Sequence, residues 1–512
     1  MCDNVSDYVI GLDLSCNNLK GELHPNSTIF QLRHLQQLNL AFNLFFPSSL
    51  HDGIGDLVNL THLNVSNSYL SGNIPSTISH LSKLISLNPL TWKKLIHNAT
   101  NLRDLYLDYV DLSLITESSL SMLKNLSSSL VSLSLRSTEL QGNLSSDVLS
   151  LPNLQKLDLS YNYDLIGQLP KSNWSMPLRY LDLSSTSFSG EIPYSIAQLK
   201  SLTHLYLQEC NLDGTIPLSL WNLTQLTYLD LSENKLNGEI PNVYGYLMKL
   251  EYLELSLNNL TGEVPSSFFH LSQLSNLGLS FNKLVGPIPN EITKHSKLSH
   301  VDLGSNMLSG TIPHWCYNLP SLLVLRLSNN HLTDFIGEFT TYSLHYLGLS
   351  NNNLHGHFPN SIFELQNLAG LDLSSTNLSG VVDFNQFSIF NILQSLNLSH
   401  NNFLSINIDS KVESISSPYL AWLDLSFSNI NSFPKFLARL PNLQSLDLSN
   451  NNIHGKIPKW FHKLLNSSEY IYYIDLSFNK LQGDLPVPPY RICCEFDKNH
   501  TNNNLDVWSK YD

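Results

Sequence analysis

Six side chains recur one period apart and could together grip another molecule: Tyr180, His204, Tyr228, Tyr252, Asn276 and His300. Each lies 24 residues after the one before it, so a chain that turns back on itself at that period sets them side by side. Tyr206, two residues beyond His204, shares their outward face. Tyr and His combine apolar area with a polar tip at low entropy cost, which suits a strip that holds a peptide. The ligand-binding residues expected from this pattern are Tyr180, His204, Tyr206, Tyr228, Tyr252 and His300, with Trp422 and Tyr473 at outward positions further along. The competing reading is that Tyr simply tolerates half-exposed strand positions. Beside the strip runs an acidic row, Asp158, Asp182, Asp230, Glu254 and Asp302. Like charges about 5 Å apart raise one another's pKa, and such a row could serve a cationic peptide; alternatively, Asp is simply common at that place.

Nothing arranges these groups for catalysis. The chain has no GxSxG elbow, HExxH helix, phosphate-binding loop or kinase set, and its 19 histidines are scattered. No catalytic residue, cofactor or metal site is therefore expected. Cys2, Cys16, Cys210, Cys316, Cys493 and Cys494 show no CxxC or zinc spacing and are too few to staple 512 residues, so packing must carry the fold. With 42 acidic against 28 basic residues the formal charge is −14, which argues against a nucleic-acid partner, since that needs a basic stripe. No run approaches the ~18 apolar residues of a membrane span, and the opening residues carry no export signal. Fourteen Asn-x-Ser/Thr sites, Asn4, Asn26, Asn59, Asn64, Asn98, Asn125, Asn143, Asn173, Asn222, Asn259, Asn377, Asn397, Asn466 and Asn499, point to a glycosylated, secreted chain. Chance in an Asn- and Ser-rich sequence is the alternative.

The element that must position the strip is a repeat reading LxxLxLxxNxLxGxIP. Its second Leu recurs at Leu181, Leu205, Leu229, Leu253, Leu277, Val301 and Leu325 in strict 24-residue register. Further anchors at Leu12, Leu38, Leu63, Leu87, Leu105, Leu133, Leu157, Leu347, Leu371, Leu396, Leu423, Leu446 and Ile474 make about 20 coils. Each LxL alternates inward Leu with outward polar residues and reads as a short strand. Asn follows in most coils, as at Asn162, Asn234 and Asn258, and its amide can satisfy backbone groups that a tight interior turn leaves unpaired. In xLxGxIP, Gly permits a sharp turn and Pro needs no donor; the remaining arc, such as residues 266–271, reads as a 3₁₀ or single helical turn. The fold class is an α/β-type solenoid, a right-handed horseshoe or superhelix with a parallel concave sheet over residues 9–486. The spacing falls to 18 between Leu87 and Leu105, marking an irregular short coil near 84–104. Residues 487–512 match no repeat and read as a divergent, disordered tail.

The xLxGxIP extension resembles the plant-specific class of leucine-rich repeats, and residues 8 to 486 resemble the plant leucine-rich-repeat receptor-like proteins and receptor kinases. Cys2-Asp3 followed by Tyr8 to Leu14 is similar to the end of that family's cysteine-paired N-terminal cap, making residues 1–8 a remnant of it. The resemblance implies a recognition module on the extracellular side of the plasma membrane. It would bind a peptide, oligosaccharide or protein ligand in defence or developmental signalling, without catalytic activity, and a co-receptor kinase is expected for the full-length family. A secreted inhibitor of pathogen wall-degrading enzymes and a nonfunctional truncated fragment are the alternatives. Asn64 and Asn397 fall on outward strand positions, but no strand position between Leu181 and Leu371 is a sequon. A glycan-free window therefore spans the aromatic strip and places the ligand on the concave face across coils eight to thirteen.

Overall fold

The computed structural model describes residues 8–24, 27–45, 56–57, 59–69, 103–113, 130–144, 148–149, 151–172, 174, 176–243, 246–408, 418–467, 471–483 and 493–495. The chain divides into two compact units, Met1–Leu260 and Thr261–Asp512, both built by the same rule.

In the first unit, three-residue strands at Gly11–Asp13, Gln37–Asn39, His62–Asn64, Asp104–Tyr106, Ser132–Ser134, Lys156–Asp158, Tyr180–Asp182, His204–Tyr206, Tyr228–Asp230 and Tyr252–Glu254 pair in parallel, each with the next. The register sets Leu181, Leu205, Leu229 and Leu253 against one another, and all four are fully buried. Burying one such side chain is worth about 1.5–3 kcal/mol. No coil covers its own leucine row, so each is stabilised by its neighbours. The second unit repeats the scheme with parallel strands from Asn276–Gly278 through His300–Asp302 and Val324–Arg326 to Tyr473–Asp475.

The repeat reading needs correction in two places. Leu63 pairs directly with Leu105, so no strand centred on Leu87 stands between them; Leu87 itself lies outside the described residues. The 18-residue spacing before Leu105 is too short for strand, turn and return arc together. Cys493–Glu495 pairs in parallel with Tyr473–Asp475, adding a strand within the segment expected to be a tail. An edge strand offers unpaired N–H and C=O groups to any extended segment, with or without leucines.

A left-handed residue closes the strand in coil after coil: Glu233 at φ 54°, Leu257 at 57°, Phe281 at 53°. That conformation costs roughly 1–2 kcal/mol for a residue with a Cβ and leaves nearby carbonyls unpaired. The following Asn answers them. Asn258 Nδ2 donates to Leu231 O at 2.9 Å and to Leu255 O and Ser256 O at 3.2 Å, and its Oδ1 accepts the Leu236 N–H at 3.0 Å. Asn162, Asn234 and Asn330 repeat the pattern. Where Asn is replaced, one donor remains: Thr186 Oγ1 to Leu183 O at 2.7 Å, and Cys210 Sγ to the same oxygen at 3.1 Å.

The LxGxIP segments do more than turn. In the first unit Gly142–Asn143, Leu165–Gly167, Ser187–Glu191 and Asn211–Asp213 form a second parallel ladder. Gly214, at φ 72°, fits where a Cβ would come within 2.8 Å of Glu191 Cγ. Pro193 and Pro217 then lead in extended conformation into the 3₁₀ turns Tyr194–Gln198 and Leu218–Asn222, and the arc read at 266–271 is the 3₁₀ turn Ser266–His270. Among the described residues no helix is long and apolar enough to cross a membrane.

Candidate ligand-binding surface

With the leucines buried, the residues on either side of them face away from the core. In the first unit the column before each leucine runs Lys156, Tyr180, His204, Tyr228, Tyr252, and the column after it runs Asp158, Asp182, Tyr206, Asp230, Glu254. The strand spacing of about 4.8 Å brings the rings into continuous contact. Tyr228 and Tyr252 lie parallel, 4.0 Å between centroids and 5° between planes; His204 and Tyr228 are inclined by 11° at 6.2 Å. Tyr206 bridges to Tyr228 at 4.6 Å and to Tyr180 at 5.4 Å. Tyr228 and Tyr252 turn their faces to each other and present their edges outward, whereas Tyr206 meets Tyr228 at 35° and Tyr180 at 45°. Lys156 Nζ lies 5.0 Å from the Tyr180 ring centre and 5.3 Å from that of Tyr106, putting a cation at one end of the strip. Five expected residues, Tyr180, His204, Tyr206, Tyr228 and Tyr252, are thus brought together. His300 belongs to the second unit, where its Nδ1 lies 2.9 Å from Ser299 Oγ. In that unit Trp422 Nε1 donates to Tyr472 Oη at 2.9 Å.

The acidic row has work of its own. Asp158, Asp182 and Asp230 each accept the backbone N–H two residues on, from Ser160, Ser184 and Ser232 at 3.0–3.1 Å, and that serine's hydroxyl at 2.6–2.7 Å. Asp is frequent here because the Asp-x-Ser turn uses it. Burial, with the Asp158 carboxylate on the next strand adding repulsion, pushes Asp182 up to about 6. Burial likewise raises Tyr206 to about 12 and moves Tyr180, Tyr228 and Tyr252 upward, so the phenols stay protonated at neutral pH. Burial lowers His204, against a weaker pull from Glu251, which keeps the imidazole neutral.

Asp182 therefore links stability to pH. Its folded pKa lies above its unfolded value, so its contribution is complete below pH ~4 and is lost as the pH rises through about 6. His204, shifted downward, acts in the opposite sense. The expected result is that Asp182→Asn removes on the order of 1–3 kcal/mol of the stability change between pH 4 and 7.5. Chemical denaturation at the two pH values checks this; equal pH dependence in mutant and wild type would refute it.

Among the sequons, Asn143, Asn222, Asn259 and Asn377 are exposed. Asn59 is half-buried, its Nδ2 donating to Arg33 O at 2.9 Å. Asn64 and Asn397 occupy the outward place after the leucine and accept from Ser66 N and Ser399 N at 3.1 Å. Asn4, Asn26, Asn98, Asn125, Asn173, Asn499 and the side chain of Asn466 lie outside the described residues. Among the described residues no group of three or more His, Cys, Asp or Glu is placed to hold a metal ion.

The family profile described as leucine rich repeat matches residues 224–284 and 418–481, and a second of the same description matches 59–81, 177–199, 201–223, 297–319 and 343–365. Receptor-like protein 6 of Arabidopsis thaliana is 49% identical over 526 residues, an alignment that covers 95% of this chain and 50% of that relative. The chain belongs to the plant leucine-rich-repeat receptor-like proteins. It spans about half the length of the relative it matches. Two solved structures are similar to it. One is the plant peptide hormone receptor RGFR1 in complex with RGF2, with a TM-score of 0.71, 27% identity, and coverage of 97% of this chain and 90% of that one. The other is the Arabidopsis receptor kinase HAESA in complex with the peptide hormone IDA and the co-receptor SERK1, with a TM-score of 0.59, 28% identity, and coverage of 93% and 71%. Two residues of this receptor-like protein's ladder face escape a reading for aromatics. Lys156 stands in the aromatic column one period before Tyr180, and continuing the 24-residue spacing finds it. Gln208 stands where Ser184 and Ser232 stand in the flanking coils.

Proposed function

We propose that this receptor-like protein is an extracellular recognition module that binds an extended peptide along Tyr180, His204, Tyr206, Tyr228 and Tyr252, with Lys156 at one end. The orientation of the rings carries the proposal. A sugar binds aromatic residues by lying on their faces, and the facing sides of Tyr228 and Tyr252 are closed by each other. Phenol oxygens along the strip can accept peptide N–H groups even where, as at Tyr180, the O–H is donated to Asp182 at 3.1 Å, and the gaps between them admit side chains. From Lys156 to Tyr252 the strip crosses four strand spacings, roughly 19 Å, which matches about six extended residues. The peptide hormones held by the two similar structures support this reading. The module has no catalytic activity. It acts at the extracellular side of the plasma membrane in defence or developmental signalling, and relays binding through a co-receptor kinase, as the HAESA complex with SERK1 suggests.

The test uses heptapeptides selected from a random-sequence library on the full chain, followed by hydrogen exchange with and without the selected peptide. Slowed exchange in the strands from Tyr180–Asp182 to Tyr252–Glu254 is expected. Protection confined to the second unit, or to the 3₁₀ turns, would overturn the proposal.

A further inference from the structure

We propose that Gln208 fixes the register of the peptide on the strip, its side-chain amide oxygen accepting one backbone N–H of the bound peptide. This rests on the strip being the peptide-binding surface. The coil centred on Leu205 departs from its neighbours at three positions together. Tyr206 stands where Asp182 and Asp230 stand, Gln208 where Ser184 and Ser232 stand, and Cys210 where Asn234 stands. In the flanking coils the Asp-Ser pair is closed on itself. Here no such pair exists, and Gln208 Oε1 is buried without a hydrogen-bond partner. A buried amide oxygen left unpaired is unfavourable, and native proteins keep few of them.

The hydrogen bonds that hold the coil do not use that side chain. The coil's backbone is held by Ser185 N–H donating to Gln208 O and Glu209 N–H donating to Ser232 O, both at 3.0 Å, and neither bond depends on what residue 208 carries. Gln208 lies two residues beyond Tyr206, whose ring touches Tyr180 on one side and Tyr228 on the other. Gln208 as a residue is half-buried, so rotation about its side-chain torsions brings the amide oxygen out beside the middle of the strip. An extended peptide presents a backbone N–H at every second residue along one edge, and one of them supplies the missing donor. The acidic side chains nearby, Asp182, Asp230 and Glu209, favour a neutral or cationic residue at that point.

The variant is Gln208→Leu in the full chain, tested with the heptapeptides selected on the wild type. Its melting midpoint is expected to rise, because an unpaired buried oxygen is removed, while peptide affinity falls by about tenfold, the equivalent of one hydrogen bond. N-methylation of the peptide, one position at a time, should find one site that weakens binding to wild type about tenfold and leaves binding to Gln208→Leu unchanged. A lowered midpoint would show that Gln208 serves the fold and overturn the inference. Wild-type affinity in Gln208→Leu, when Tyr228→Ala with Tyr252→Ala abolishes binding, would overturn it and leave the strip standing. Wild-type affinity in both variants would overturn the strip and the inference together.

Discussion

Replacing Tyr228 and Tyr252 together by alanine is expected to weaken binding of a selected heptapeptide about a hundredfold, near 3 kcal/mol. The two rings form the tightest contact in the strip, 4.0 Å apart and almost parallel, and each reduces the ordering needed of the other. A rigid aromatic pair binds with little entropic loss. The fold should lose no more than about 1 kcal/mol, the worth of one ring pair, because the coils are carried by Leu229 and Leu253 beneath. The matched control is Leu229→Ala with Leu253→Ala. Both leucines are fully buried, and each truncation should cost about 2–5 kcal/mol, enough to unfold those coils. Isothermal titration and thermal melting of both pairs separate the two roles. Wild-type affinity in the tyrosine pair would move the site elsewhere, to the surface around Trp422 and Tyr473 or to the side of the 3₁₀ turns.

Asn258→Ala should destabilise the protein by about 1–3 kcal/mol. The amide does more than fill space: it ties Leu231 O and the Leu236 N–H of the preceding coil to the left-handed turn at Leu257. Its loss weakens the joint between two coils, so the denaturation transition should broaden as well as shift. Asn258→Thr is expected to lose less, since the hydroxyls of Thr186 and Thr376 in that place still bond Leu183 O and Leu373 O. An unmoved midpoint in Asn258→Ala would mean that water satisfies those groups equally well.

How much of this can be read from residues alone depends on whether a feature is set by period or by angle. The 24-residue spacing places Leu181 to Leu253 in one buried row because any fold with that repeat must align them. The outward tyrosines follow from strand alternation, and the Asn ladder from the needs of a tight turn. The second ladder at LxGxI is not legible, because a strand of three residues around a left-handed glycine exists only by virtue of the coil beside it. Leu87 fits the repeat pattern, yet Leu63 pairs directly with Leu105, a pairing that the pattern does not announce. Cys493–Glu495 joins the ladder without a leucine, through backbone bonds that no side-chain pattern announces. The acidic row looks like a charged surface until the Ser two residues on is considered with it. The ring planes of Tyr228 and Tyr252, which separate a peptide from a sugar, depend on side-chain torsions that spacing does not encode.

The register of the strand ladder also bears on how such a chain can change over generations. Leu205 stands in register with Leu181 on one side and Leu229 on the other, so excising 24 residues between equivalent points joins two coils whose surfaces already fit. Unequal exchange between repeats would then alter the length of the aromatic strip by one strand spacing, about 4.8 Å, with no new interface to be selected. The number of ligand residues contacted can drift by roughly one or two at each such event while the cross-section of the coil stays fixed.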